Sequence, residues 1–343
     1  MSQPAPRTSL VHLVVLVALI VGPGAVPPAL HAQGVEESLL QLAEDNASLY
    51  LEPLTRGLGF TMSGGLLDGA RPLGRLGFDF GVGITGALPP TSAKSYEPIL
   101  PGEVRLHHPT FGDTVFYDPY RIQGGSARTP TVAGDGPGAV LEPNEELRAA
   151  LVEAGMDPSE LEVVLPEGFG IPVVPFPILH ASLGLGLGTE ASVRFLPTLR
   201  IDDEIGELRS TGFAVRHALT TWFTAPVDLS LAMGFQRLEV GEYLEVSSRQ
   251  YGLLVGRGIG PLTVFGSGML RSASVEIAYT AENPENHPGL PSDGVRFRVS
   301  ERIPSDTALG LGARIQFLLM SLSAHYTVDD YPLFSLKAAF GIP

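Results

Sequence analysis

Beyond Pro53 the chain alternates. Leu76, Phe78, Phe80, Val82 and Ile84 take every second position, with Gly77, Asp79, Gly81, Gly83 and Thr85 between them, and a period of two puts one set on each face of a β-strand. One face is large and apolar, the other small or polar. The same grammar recurs, with turn residues between, over residues 179–187, 191–196, 212–217, 227–236, 262–266, 275–279, 295–299, 309–315, 318–326 and 334–340. Adding the less regular stretches 58–66, 114–117 and 244–255 gives about fourteen strands, an even number of roughly ten-residue segments of the kind that membrane barrels use. The alternation therefore predicts an all-β transmembrane antiparallel barrel over residues 57–343.

Two regions break the pattern. Residues 35–47 carry apolar side chains at 35, 39, 42 and 43 among Glu36, Glu37, Glu44 and Asp45, the helical period, so residues 33–56 are expected to hold a short amphipathic helix that plugs the barrel. Between Pro89 and Pro177 the alternation collapses into a Pro- and Gly-rich insertion with one helical island, Asn144 to Ala154, opened by acidic residues as a helix N-terminus prefers. Its apolar residues are too irregularly spaced to suggest a core of its own. It reads as one strand plus an elaborated loop or plug, since structureless loops of this length are usually functional.

Composition decides between a membrane barrel and a soluble β-sandwich, which alternates as well. The chain holds 41 Gly and 30 Pro, only 17% charged residues, and no Cys. The small polar phase suits a crowded lumen better than a solvent face, and few Lys residues follow the strands to guard exposed edges. A closed barrel has no edges to guard. A net charge of −15 argues against nucleic acid, whose phosphates demand a basic excess. At the N-terminus Arg7 precedes an apolar run, Leu10 to Val21, then Gly22-Pro23-Gly24 and a small residue, Ala32. That order is signal-peptide grammar, and the run is too short to span a bilayer. Residues 1–32 are therefore expected to be cleaved near Ala32 on export to the outer membrane.

The strand phase sorts the polar residues. Asp79, Glu190, Arg194, Arg216, Asp228, Glu276, Arg296, Arg298 and Arg314 fall opposite the large apolar residues, so they are expected to line the lumen. They either pair with one another and with the plug, or form a substrate path in which arginines hold an anionic group. Catalytic and metal signals are weak. Ser323 and His325 share a strand face but stand about 7 Å apart along it, and His107-His108 with Asp113 and Asp118 lack a ligand motif. No enzyme activity, cofactor or metal is expected.

The sequence resembles an uncharacterised bacterial family of outer-membrane β-barrels, a domain of unknown function. The resemblance lies in Asn46 to Leu54 leading to Gly57-Leu58-Gly59, in Leu76 to Asp79, in Thr110 to Gly112, in Ala181 to Leu185, and in Thr189 to Pro197. Gly212 to His217 and Pro226 to Ser230 extend it. That family is distantly similar to fatty-acid channel (FadL-like) barrels, which implies fourteen strands, an N-terminal plug, and passage of a hydrophobic or amphiphilic small molecule. The expected partners are outer-membrane lipid and such a ligand, with any protein partner unspecified. A non-conducting barrel that scaffolds the membrane or binds a partner is the alternative.

Overall fold

The computed structural model describes the chain from Gln33 onward, except residues 67, 109–111, 126, 203–205 and 282–294. Side chains are described from Asn46, leaving out also 105–108, 112–113, 160, 201–202, 279–281 and 295–299. The expected signal peptide and its cleavage point lie outside the described residues. The chain divides into two compact units. One comprises Pro53–Thr91, Ile171–Ile277 and Ser300–Pro343; the other is built on the residues up to Glu52, Ser92–Gly170 and Ala278–Val299.

The first unit is a closed antiparallel barrel of ten strands. They are β1 (Phe78–Ala87), β2 (Val174–Gly186), β3 (Thr189–Asp202), β4 (Gly206–Ala218), β5 (Asp228–Val240), β6 (Leu244–Ile259), β7 (Leu262–Ala281), β8 (Val295–Phe317), β9 (Met320–Val328) and β10 (Leu333–Ile342). β1 closes it, pairing Phe78 with Leu183 of β2 on one side and with Ile342 of β10 on the other. Ten strands correct the expected fourteen, and the difference has four identifiable sources. Residues 262–266 and 275–279 belong to one strand of 20 residues, and 295–299 and 309–315 to one of 23. Residues 58–63 are helical, and 114–117 lie in a hairpin of the second unit. In β8 the buried residue Ile303 is odd-numbered whereas Ala308 and Gly310 are even, so the phase slips near Pro304. That slip looks like a strand break in the sequence.

Around the barrel every strand sends a large apolar side chain outward: Phe80, Leu185, Val193, Phe213, Leu231, Leu253, Leu270, Leu311, Leu322 and Phe340 are each more than 40% exposed. A continuous apolar girdle of this kind is the lipid-facing belt of a membrane barrel; water would not tolerate so large a patch. At the end of the barrel with the tightest turns, Leu76, Leu187, Trp222 and Leu318 are 76% exposed or more.

The helix differs from expectation as well. α1 runs over Gln33–Ser63, continuing through Pro53, although the missing N–H there removes one rung of its hydrogen-bond ladder. Its glycines explain the misreading of 58–66 as a strand. A Cβ at Gly57 would lie 2.7 Å from Val174 Cγ2, and one at Gly59 2.8 Å from both Ala273 Cβ and Ile303 Cδ1. These glycines let the helix press against the barrel wall, and their spacing imitates an alternating strand.

The second unit has a core of its own, which corrects the reading of residues 89–177 as a coreless loop or plug. Val104, Phe116, Tyr120, Leu141, Leu147, Leu151 and Leu165 form a buried cluster. They come from short strand pairs and from α2 (Glu145–Glu153), so no single period runs through them. Asn144 caps α2, its Oδ1 accepting from the Leu147 N–H at 2.8 Å. Tyr120 donates to the Leu161 carbonyl at 3.1 Å, and burial pushes its phenol up to about 12.

Candidate functional site

Inside the barrel the wall mixes apolar side chains such as Ile178, Leu254, Phe265, Met269 and Val275 with many small polar ones. Thr85, Ser182, Ser230, Ser248, Ser267, Ser321, Thr327 and Ser335 are all buried. A ten-stranded barrel is wider than the eight-stranded kind that strand side chains just fill, and here residues 53–73 thread the space. Met62 meets Arg194 of β3, Leu66 crowds Gly234 of β5, Ala70 packs with Leu254, Phe265, Met269 and Ala308, and the Leu73 N–H donates to Glu190.

Asp68 is the centre of this segment. Arg216 donates from Nη1 to Asp68 Oδ1 at 2.9 Å and from Nη2 to both Glu190 oxygens at 2.7 and 2.8 Å, and it also reaches the Gly69 carbonyl. Lys337 donates to Asp68 Oδ2 at 2.6 Å and lies 3.7 Å from Asp79. Arg314 stands 3.5 Å from Asp68 and 3.6 Å from Asp79, while His180 Nε2 is 3.2 Å from the other Asp79 oxygen. One carboxylate of the plug thus touches cations from β4, β8 and β10. Burial removes water from these ions, and their mutual contacts replace it.

A second buried ion group sits beside α1. Arg271 of β7 lies 2.5 Å from Asp329 and 3.2 Å from Asp306, with its guanidinium 4.0 Å above the Phe60 ring.

Of the residues expected in the lumen, Asp79, Glu190, Arg194 and Arg216 are buried there and Arg314 is nearly so. Asp228 is half-buried at the start of β5. Glu276 points outward and is exposed, because on that part of β7 it is Val275 that faces in, 1% exposed. The side chains of Arg296 and Arg298 lie outside the described residues, as do those of His107, His108 and Asp113. Sequence phase missed Asp68, Lys337, His180 and Arg271. Asp68 belongs to no strand, so no phase pointed to it. Lys337 and His180 alternate correctly with their strands and were within reach of the same reasoning. Among the described residues no cluster of His, Asp and Glu could hold a metal ion. His325 is bonded to Ser267 Oγ at 2.9 Å and stacked on Phe265, so its described partner is not Ser323.

The profile of a family of unknown function (DUF6588) matches residues 8–342. The chain belongs to that family. No curated protein matches it. Among solved structures it is similar to the outer-membrane protein OmpT of Vibrio cholerae folded in vitro, at 9% identity over 77% of this chain and 96% of that one, with a TM-score of 0.24. It is similar to the toluene transporter TbuX of Ralstonia pickettii, at 7% identity over 86% and 92%, TM-score 0.24. The monoaromatic hydrocarbon channel CymD gives 8% identity over 91% and 98%, TM-score 0.24. These superpositions are loose, and the barrel assignment for this DUF6588 member rests on its own strand pairing and apolar belt.

Proposed function

We propose that this barrel resides in the outer membrane, is closed at rest by its own residues 53–73, and passes a hydrophobic or amphiphilic small molecule when that segment is displaced. The observation that carries this reading is the nature of the filling. A barrel serving only as a scaffold would fill its interior with its own strand side chains, as narrow barrels do. Here the strand side chains, part small and polar and part apolar, leave room for a separate segment, held through Ala70 by apolar packing and through Asp68 by ion pairs. The toluene transporter and the hydrocarbon channel are consistent with such cargo but too distant to argue for it. No catalytic role is assigned.

A second reading is favoured by the apolar core of the insertion: a non-conducting barrel that presents residues 92–170 to a protein partner. The absence of native cysteine allows a clean test. A Cβ at Gly256 would lie 3.0 Å from Ala70 Cβ, about half an ångström short of disulfide separation. The double variant Ala70→Cys/Gly256→Cys is expected to take up a hydrophobic fluorescent probe into proteoliposomes when reduced and to lose uptake when oxidised. Equal uptake in both states, above that of protein-free vesicles, would mean that residues 53–73 are not the gate; no uptake above protein-free vesicles in either the reduced variant or wild type would favour the scaffold.

A further inference from the structure

Within the ion group around Asp68 the buried charges do not balance. Three carboxylates, Asp68, Asp79 and Glu190, face four cations, Arg194, Arg216, Arg314 and Lys337. His180 is either neutral or widens the gap. Arg216, Arg314 and Lys337 each have a carboxylate within 4.0 Å. Arg194 is 2% exposed; its hydrogen bond is to the Met62 carbonyl, which accepts from Nη1 at 3.2 Å, and Asp68 acts on it only from beyond ion-pair distance. Its Nη2 is buried with no hydrogen-bond partner. The carbonyl end of a helix offers only about half a negative charge, and a buried guanidinium without a full counter-charge is costly.

Other polar atoms converge on the same place. At Gly65, which has a φ of +71°, the position of the missing Cβ is 3.8 Å from Arg194 Nη2, 3.2 Å from Thr85 Oγ1 and 3.9 Å from Ser335 Oγ. The Thr85 and Ser335 hydroxyls bond each other at 3.1 Å. One of them supplies that proton, so the other keeps an O–H to donate. A guanidinium N–H and a hydroxyl O–H therefore flank one glycine, and no side chain of that residue stands between them. We propose that Arg194, together with the Thr85–Ser335 hydroxyl pair, binds a small monoanion beside Gly65 in the closed barrel. Chloride and a carboxylate group share the required chemistry: one negative charge and atoms that only accept hydrogen bonds. This inference concerns the closed state and holds whether or not anything crosses the barrel, so its test reads stability and not flux.

The full chain in uncharged detergent is unfolded thermally in sodium salts of equal ionic strength, with sulfate as the reference dianion and chloride, acetate and octanoate as monoanions. The wild-type midpoint is expected to rise saturably with a monoanion over sulfate. Arg194→Gln is expected to lose that dependence and, in sulfate, to be at least as stable as wild type, because the uncompensated charge is gone. Thr85→Val retains the arginine and is expected to weaken the apparent anion affinity severalfold; it reads the site even if Arg194→Gln does not fold. Saturation by octanoate at concentrations tenfold below acetate identifies the anion as the head of an amphiphile, and parity identifies a free small ion. The proposal fails if wild type unfolds at the same temperature in all four salts. It also fails if Arg194→Gln is less stable than wild type in every salt with its anion dependence intact, the result for an arginine that only caps the helix.

Discussion

The two halves of β7 turn different outer faces to their surroundings. In the half nearer its start, Val264 and Leu270 point outward, 48% and 52% exposed, while Ser267 and Arg271 are buried inside with Phe265 and Met269. In the half nearer its end the outward positions are Ser272, Ser274 and the exposed Glu276, and the inward ones are Ala273 and Val275, 6% and 1% exposed. The backbone alternation is unbroken between them. What changes is the surroundings: lipid outside and a mixed polar and apolar interior in the first half, water outside and the apolar flank of α1 inside in the second. β5 repeats the exchange, with Leu231 and Met233 outward low on the strand and Leu238 and Val240 buried above. Arg209, Arg237, Glu239 and Glu245 form an outward ladder of ion pairs across β4, β5 and β6 at that upper level. A period of two thus fixes that faces exist but not which medium each face meets.

Charge should be most sharply divided by this comparison. Asp68→Ala leaves Arg216, Arg314 and Lys337 without their shared carboxylate in a site closed to water, and removing one partner of a buried ion group typically costs about 3–5 kcal/mol. Arg209→Ala, in the exposed outward ladder, should cost under about 1 kcal/mol. Equilibrium urea unfolding of both variants in lipid vesicles measures the two effects on one scale. Similar losses would mean that the lumen is wet and that the distinction between the two kinds of ion pair is unfounded.

The same physics accounts for what was legible in the sequence. The existence of a barrel, its apolar belt and five inward charges followed from alternation, because at the level of the lipid outside and inside differ in the way assumed. Glu276 was misplaced because its stretch of β7 lies where the rule reverses. The strand count was inflated where β8 changes phase near Pro304 and where glycines spaced for helix packing resembled strand residues. Asp68 was invisible because its role is set by three strands that converge on it from residues 216, 314 and 337, and no local pattern records such a meeting. The core of residues 92–170 was hidden for a related reason: its apolar residues are gathered from several short elements.

A charge introduced on the outer face of β7 tests the reversal directly. Leu270→Arg puts a guanidinium among lipid tails, which costs about 2–4 kcal/mol at the bilayer midplane. Glu276→Arg, six residues further along the same face, should change stability by no more than about 0.5 kcal/mol, as exposed substitutions usually do. Folding yield into vesicles and urea midpoints separate the two. If both variants are equally damaged, the belt extends to the end of the strand and the upper half is not in water.

The smallest expected effect lies in the second unit, whose core is of the soluble kind. Asn144→Ala removes the side-chain acceptor for the Leu147 N–H at the start of α2, a loss of about 1 kcal/mol for a capping residue. Leu147 and Leu151, both fully buried, tie α2 to the core around Tyr120 and Leu141, so the loss should spread through that unit as faster amide exchange in residues 145–153 and their strand neighbours. The barrel holds itself closed by its own ladder and ion groups. Its urea midpoint should therefore stay where it is, and a parallel shift of both would show that the insertion and the barrel unfold as one.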